Sequence, residues 1–273
     1  MTPLERLRRR IATLGAPLCL GIDPHPNTLP EGLPHDASGL ESFARGLLEA
    51  AAPSAAAVKV NVAFFEAFGS AGLAALERVR ADVPPDQVLI LDAKRGDIRT
   101  TAERYAAALF GHLDADGVTL SPFLGDDAIE PFAAFADRII YVLARTSNPS
   151  AGTLQDLGLA DGGTLADHVV GWVSARWPRP EVGLVVGATD AQELVSLRAG
   201  HPDPAFLVPG VGAQDGDLGA AVRSCHGTRA PGLVNVSRGI AGASRGLDWR
   251  EAAARAAEEW RAGMAAAGAT LPA

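Results

Sequence analysis

The sequence predicts a single α/β domain folded as a (β/α)8 TIM barrel. Short runs rich in Val, Ile and Leu recur eight times along the 273 residues, and Ala-rich segments with a helical period lie between them. The runs are continuously apolar, which is typical of parallel strands buried on both faces. Eight strand and helix units in about 250 residues match a closed barrel. An open doubly wound sheet is the alternative fold, because strand count alone does not show closure.

The predicted strands follow one another at regular spacing. In chain order they are PLCLGID (17–23), AAVKVNV (56–62), VLILDA (88–93), GVTLSPF (117–123), RIIYVLA (138–144), VGLVVGA (182–188), AFLVPGV (205–211) and GLVNVS (232–237). Capping-box spacing, Thr100 with Glu103 and Thr189 with Gln192, predicts helix starts after the third and sixth strands. The long stretch 145–181 is rich in Gly and Pro, so we expect an active-site loop and an extra helix there, within one domain over 1–273.

Composition narrows the function classes. A net charge of −8 argues against a nucleic-acid surface. Because the N-terminal segment lacks a signal-like apolar stretch and no run reaches membrane-spanning length, we expect a soluble cytoplasmic protein with no membrane partner. Cys19 and Cys225 are expected to be buried or unused thiols. The six histidines show no metal-ligand spacing, so neither a metal nor another cofactor is expected.

The ends of the predicted strands collect polar residues. In a barrel the chemistry lies at the C-terminal ends of the strands. Both lysines of the chain occur there, whereas the other basic residues, 24 − 2 = 22, are arginines. The polar strand-end residues are Asp23, Lys59, Asn61, Asp92, Lys94, Ser121, Ser147, Gln214 and Arg238.

Four of the charges in this region alternate in sign: Lys59, Asp92, Lys94 and Asp97. If VLILDAK is extended, Asp92 and Lys94 share a face, Lys59 ends the preceding strand, and Asp97 follows at the turn. One interpretation is a structural ion-pair network at the barrel mouth. A catalytic site is favoured, because arginine could serve a structural pair and buried charges rarely stabilise a core better than apolar side chains do.

The loops after the seventh and eighth strands suggest a phosphate site. PGVGAQDG (209–216) and NVSRGIAG (235–242) are Gly-rich turns that expose backbone N–H groups, and they carry Gln214 and Arg238. Barrels often bind phosphate at these two loops. Tight turns with no ligand are the alternative interpretation.

Seven segments together resemble one enzyme family. LCLGIDPHP, VKVNVAFFE, LDAKRGDI, RTSNPSA, GLVVGAT, LVPGVGAQDG and NVSRGI are similar, in this order over about residues 18–242, to orotidine 5′-phosphate decarboxylases of the longer bacterial subgroup with D-A-K-R-G-D. The sequence departs from the family pattern at SPFLG, VKVN and QDG, where NPYLG, KPQ and QGG are usual. These departures concern the contacts of Ser121 and Asn61 and none removes an expected charge.

The resemblance implies a cofactor-free decarboxylation of a nucleotide. Lys94 would supply a cation and a proton, Asp92 would face the departing carboxylate, and Lys59 would hold the aspartates and a ribose hydroxyl. Asp97 would act across a homodimer in the site of the partner subunit. The further substrate-binding residues implied are Asp23 for the ribose, Ile98 and Thr101 with Asp97, Ser147 for the pyrimidine, and Pro209, Gln214, Ser237 and Arg238 around the phosphate.

Two other functions remain open from the sequence. A metal-dependent decarboxylase or aldolase acting on a keto-sugar phosphate shares the D-x-K-x-x-D pattern, and a magnesium requirement would favour it. A catalytically silent nucleotide-binding barrel is the other, although such a protein is expected to have lost a charge of the tetrad, and all four are present.

Overall fold

Eight parallel strands close into a barrel in the computed structural model, which describes residues 1–160, 162–212 and 216–268. Each strand pairs with its neighbours in sequence, and β1 also pairs with β8. The predicted (β/α)8 barrel is therefore confirmed, and the open sheet is excluded. The strands are β1 (Leu18–Ile22), β2 (Ala57–Asn61), β3 (Val88–Arg95), β4 (Gly117–Leu120), β5 (Ile139–Arg145), β6 (Val182–Val186), β7 (Phe206–Val208) and β8 (Leu233–Val236).

Helices surround the barrel and connect its strands. They are α1 (Pro3–Leu14), α2 (Ala37–Ala50), α3 (Val62–Glu66), α4 (Gly69–Ala81), α5 (Arg99–Ala106), α6 (Asp126–Ala133), α7 (Gly152–Gln155), α8 (Leu165–Arg176), α9 (Ala191–Gly200), α10 (Leu218–Ser224), α11 (Arg238–Ala241) and α12 (Trp249–Gly268). A π-helical turn, Ala107–His112, follows α5 directly. The stretch 145–181 carries α7 and α8, while the division of the chain into domains stays a prediction.

Both predicted capping boxes are wrong. Ile98 occupies the N-cap of α5, so Thr100 lies inside the first turn, where its hydroxyl cannot cap the helix. Asp190 caps α9 in place of Thr189, because its carboxylate lies one residue closer to the helix and accepts the backbone N–H three residues on, at 3.0 Å. Capping boxes open two other helices, Thr2 with Glu5 at α1 and Thr164 with Asp167 at α8.

The barrel interior is apolar at the end where the strands begin. Ile90 and Tyr141 fill it, and Leu7 of α1 belongs to the same cluster. Cys19 and Cys225 are both buried, as expected, and burial raises the pKa of each thiol to about 12, so both remain protonated at neutral pH. The polar side chains that line the cavity lie at the opposite end of the barrel, at the C-terminal ends of the strands.

Candidate functional site

A cavity of about 480 Å³ opens at the C-terminal ends of the strands. Eight of the predicted site residues line it: Asp23, Lys59, Asp92, Lys94, Ser147, Pro209, Ser237 and Arg238. Asn61, the strand-end residue of β2, lines it as well. The barrel topology thus brings together residues that are up to 215 positions apart in the chain (238 − 23).

Asp92 lies at the centre of the charged cluster. Its Oδ2 accepts a hydrogen bond from Lys59 Nζ at 2.8 Å, and its Oδ1 accepts one from Lys94 Nζ at 2.7 Å. Lys59 Nζ also lies 3.9 Å from Asp23 Oδ1. Asp92 therefore accepts a hydrogen bond from each lysine of the protein, and Asp23 provides a second carboxylate close to Lys59.

The two lysines differ in how far their side chains are buried. The side chains of Lys59 and Asp92 are 6% and 10% exposed, whereas that of Lys94 is 50% exposed. Burial would raise the pKa of Asp92, but the two ammonium groups outweigh it and hold that pKa well below its usual range. Burial would lower the pKa of Lys59, but the carboxylates of Asp23 and Asp92 raise it instead. Lys59 and Asp92 are therefore charged at neutral pH, and Lys94 is the lysine that is open to the cavity.

The backbone of β3 is irregular beside this cluster. Lys94 has a φ of 45°, in the left-handed region, and the pairing of β3 with β4 shifts register between Leu91 and Arg95. The expectation that VLILDAK is uniformly extended is wrong at Lys94. Its ammonium nevertheless donates a hydrogen bond to Asp92 Oδ1 at 2.7 Å, so the two side chains meet as the sequence suggested although the backbone between them is not regular.

The loops after β7 and β8 form another wall of the cavity. Pro209 and Arg238 line it, and Ser237 lies at the N-cap of α11. A Cβ at Gly21 would lie 2.7 Å from the Ser237 Cβ, so only glycine allows β1 and the loop after β8 to approach this closely. Gln214, the predicted partner of Arg238, lies outside the described residues.

The wall that carries Ser147 is fixed by hydrogen bonds from α7. Gln155 Oε1 accepts the backbone N–H of Thr146 at 2.8 Å, and Gln155 Nε2 donates to the Thr146 hydroxyl at 2.9 Å. Leu143, Val185 and Leu207 give the cavity an apolar surface. The cavity therefore offers an apolar surface beside the charged side chains of Asp92, Lys94 and Arg238.

Three predicted residues lie away from this cavity. Within the described part of the chain, Asp97, Ile98 and Thr101 are not among the lining residues. Asp97 Oδ1 accepts the backbone N–H of Ile98 at 2.8 Å, and Ile98 is 57% exposed. Ser121, another strand-end residue, is also outside the lining and donates its backbone N–H to Arg95.

Several site residues were missed in the sequence. Thr119 and Asn235 are buried and line the cavity, together with Gln155. Asn235 Oδ1 and Asp23 Oδ1 have no hydrogen-bond partner among the described residues. The sequence did contain a sign of two of these residues, because Thr119 in GVTL and Asn235 in LVNV are polar residues inside otherwise apolar strands. A buried polar side chain is costly unless it makes hydrogen bonds, so such a residue near a strand end is a candidate for the site.

Neither a metal cluster nor a membrane helix was found in the ranges that the structure describes. Over residues 1–160, 162–212 and 216–268, no group of three or more His, Cys, Asp or Glu side chains could hold a metal ion. Over the same ranges, no helix is long and apolar enough to cross a membrane.

A family model, curated relatives and a solved structure all show similarity of this chain to orotidine 5′-phosphate decarboxylases. The sequence model of the Orotidine 5′-phosphate decarboxylase / HUMPS family matches residues 16–256. The chain is 50% identical over 254 residues to the orotidine 5′-phosphate decarboxylase of Roseiflexus castenholzii, covering 92% of each chain, and 41% identical over 256 residues to that of Herpetosiphon aurantiacus, covering 93% of this chain and 95% of the relative. The structure of Leishmania donovani OMP decarboxylase is similar with a TM-score of 0.81 at 38% identity, covering 97% of this chain and 99% of that one.

Proposed function

Because the chain belongs to the Orotidine 5′-phosphate decarboxylase / HUMPS family, we propose that its cavity decarboxylates orotidine 5′-monophosphate with its own side chains and no cofactor. The protein is an enzyme of this activity, which forms uridine 5′-monophosphate in the last step of pyrimidine nucleotide synthesis. The relatives described above do not support a keto-sugar phosphate enzyme or a silent barrel. The observation that carries the mechanism is the Lys59–Asp92–Lys94 cluster.

Lys94 is the proposed proton donor. When the bond between C6 of the pyrimidine and its carboxylate breaks, CO2 leaves and the electron pair remains on C6, where no conventional electron sink is available. A nearby cation stabilises that charge, and the Lys94 ammonium gives C6 a proton. Water then reprotonates the amine. The exposure of Lys94 to the cavity supports this role.

Asp92 and Lys59 set the charges around the reacting carbon. The ionised Asp92 would face the departing carboxylate and hold the Lys94 ammonium in place. Lys59 keeps Asp92 ionised in its buried position and would also reach a ribose hydroxyl. Asp23, whose Oδ1 has no hydrogen-bond partner among the described residues, suits a ribose hydroxyl donor.

The remaining contacts fix the two ends of the substrate. Arg238, with Ser237 and Pro209, is proposed to bind the phosphate, and the sequence resemblance assigns Gln214 to the same group. Ser147 is proposed to face the pyrimidine. Phosphate binding would stabilise the closed, water-excluding state, so that its binding energy lowers the barrier to the chemical step.

We further propose that the site is completed in a homodimer. Asp97, Ile98 and Thr101 would act in the cavity of the partner subunit, since they lie outside the lining of their own. The apolar side chains exposed in the connections after β3 and β4 support a covered surface: Ile98 is 57% exposed and Phe123 is 80% exposed. The proposal includes a cytoplasmic location and no nucleic-acid partner, which the net charge of −8 supports.

An absorbance assay tests the reaction. Purified protein mixed with orotidine 5′-monophosphate should remove the orotate absorption band, and dialysis against EDTA should leave the rate unchanged. Activity that is lost with EDTA and restored by magnesium would contradict the cofactor-free mechanism. Conversion of a keto-sugar phosphate with no change in the orotate band would contradict the substrate.

Mixed dimers test the shared site. Lys94→Ala and Asp97→Ala should each be nearly inactive, but refolding them together should restore about a quarter of wild-type activity. Half the dimers are then heterodimers, and one of the two sites in each is intact. As the matched control, Lys94→Ala refolded with Asp92→Ala should stay inactive, since both residues belong to one chain's cavity. If the first mixture is as inactive as the control while wild type refolds, the shared site is wrong.

A further inference from the structure

The irregular pairing of β3 with β4 leaves two backbone N–H groups without their usual partners. Leu91 pairs with Val118 and Arg95 pairs with Leu120, so three residues of β3 face the single residue Thr119 of β4. A regular ladder would bond such N–H groups to carbonyls of the neighbouring strand. Because Ala93 is buried and the backbone bond of Lys94 is partly buried, these two N–H groups need another acceptor.

The hydroxyl of Thr119 is that acceptor. It accepts the N–H of Ala93 at 3.1 Å and the N–H of Lys94 at 3.0 Å. These bonds occupy its two lone pairs, so its single proton is directed to Asp92 Oδ1, at 2.8 Å. Thr119 is only 2% exposed. One buried hydroxyl therefore contacts the backbone of the lysine and the carboxylate to which that lysine is bonded.

We propose that Thr119 is a positioning residue for the decarboxylation, an inference that rests on the proposed function. The left-handed backbone of Lys94, with its φ of 45°, is unfavourable for a residue with a side chain, and the bond from its N–H to Thr119 helps to hold it. The same hydroxyl orients the Asp92 carboxylate. Thr119 thus fixes both ends of the Lys94 side chain, its Cα through the backbone and its Nζ through Asp92.

The consequence is a defined distance between the Lys94 ammonium and the reacting carbon. The side chain of Lys94 is long and half-exposed, so without an anchored backbone and an oriented partner its ammonium would sample many positions. A displacement of about 1 Å at a reacting group can slow a reaction by about 100-fold. Although Thr119 lines the cavity, its hydroxyl is occupied by Ala93, Lys94 and Asp92, so its loss should reduce kcat far more than it changes KM.

The test compares Thr119→Val, which keeps the shape and removes the hydroxyl, with Thr119→Ser, which keeps the hydroxyl. The valine variant should lose about 100-fold in kcat with KM within about threefold, and the serine variant should retain kcat within about fivefold. Ser224→Ala, which removes another buried hydroxyl, in α10 and outside the cavity lining, is the control and should leave kcat unchanged even if it lowers stability.

A second readout isolates proton transfer. Because Lys94 protonates C6 in the forward reaction, it removes that proton in the reverse direction, so the enzyme should exchange the C6 hydrogen of uridine 5′-monophosphate in D2O. The exchange rate with saturating nucleotide should fall in the valine variant in parallel with kcat and recover in the serine variant. A purely structural hydroxyl would lower the thermal unfolding temperature and leave both rates of the folded protein unchanged.

Each result decides the inference. Equal kcat in wild type and the valine variant, equal losses in the valine and serine variants, or a loss confined to KM would each overturn it. If Thr119→Val does not fold, Thr119→Ala takes its place. If neither variant folds while Thr119→Ser does, the hydroxyl has a structural role and the inference fails. An inactive wild type would overturn the proposed function together with this inference, whereas an active wild type with an equally active valine variant would overturn this inference alone.

Discussion

Lys94→Arg separates charge from proton donation. The substitution keeps a cation at the mouth of the cavity, where the Lys94 ammonium lies 2.7 Å from Asp92. It removes a compact group that can give up a proton, because a guanidinium stays protonated and spreads its charge over a planar fork. We expect the variant to be nearly as inactive as Lys94→Ala while remaining as well folded as the wild type.

The small effect on stability follows from exposure. The Lys94 side chain is 50% exposed, and ion pairs made by exposed lysines contribute about 0.2–1 kcal/mol to the free energy of unfolding. Arginine preserves most of that contribution. The unfolding free energy should therefore stay within about 1 kcal/mol of wild type, a shift of about 2–4 °C at most in melting temperature for a chain of this size.

The effect on activity is expected to be large. Loss of a positioned general acid slows a reaction by about 10² to 10⁴, so kcat should fall by at least about 100-fold, or about 2.7 kcal/mol in the barrier. Loss of the orotate band at saturating substrate gives kcat, and thermal unfolding gives stability. Arg95→Lys is the matched control, because this neighbouring side chain pairs with Glu66 and lies outside the cavity lining. A Lys94→Arg variant within about tenfold of wild type would refute the proton-donor role.

Two further substitutions test the other walls of the site. Arg238→Ala should raise KM and lower kcat/KM by weakening phosphate binding and closure, and initial rates over a range of substrate concentrations would contradict this if KM stayed at its wild-type value. Asp92→Asn should lower the free energy of unfolding at pH 7 by about 3–5 kcal/mol, because the buried Lys59 ammonium loses its closest partner. Since the pKa of Asp92 is depressed in the folded state, this stabilisation is fully present above the unfolded-state pKa of about 4 and is lost progressively as the pH falls from there through the lower folded-state pKa, so part of it is already lost at about pH 3. Denaturant unfolding at pH 7 and pH 3 checks the sign, and a variant that is as stable as wild type at pH 7 would contradict it.

The barrel was predictable because its strands are buried on both faces. Burial on both faces requires apolar residues at successive positions, so each strand stands out as a short continuous apolar run. Each of the eight runs overlaps one strand of the structure, and six contain it whole, whereas β3 and β5 extend past the ends of their runs. The strand ends were predictable for a related reason: Asp23 directly follows the apolar strand β1, and Lys59 lies two residues before the end of β2, so charged residues mark the end of the barrel that carries the cavity.

The fine structure around Lys94 was not predictable from spacing. Period-two alternation assumes one residue of β3 for each residue of β4, whereas three residues face Thr119. That irregularity is accompanied by a hydrogen bond from the Lys94 N–H to the hydroxyl of Thr119, 25 residues further along the chain on a different strand, and a local sequence pattern does not report such a contact. The capping boxes failed for a similar reason, since Asp190 competes with Thr189 for the same helix start and sequence spacing cannot choose between them.

Lysine is rare in this chain, and lysine and arginine occur at sites with different chemical requirements. Arginines make ion pairs away from the cavity, as Arg145 does with Glu193 at 2.7 Å and Arg78 with Glu41 at 2.7 Å, where a planar fork matches a carboxylate. At Asp92 the requirement is different, because its two oxygens each accept one hydrogen bond from a separate lysine within a narrow barrel mouth. Two guanidinium groups would need more room there, and neither could release a proton to carbon. A compact ammonium group allows Lys59 to reach Asp92 in a buried position. Lys94 is proposed to need the same compact group and also its ability to release a proton. Arginine has neither the compact shape nor a readily released proton, so lysine is found at both positions.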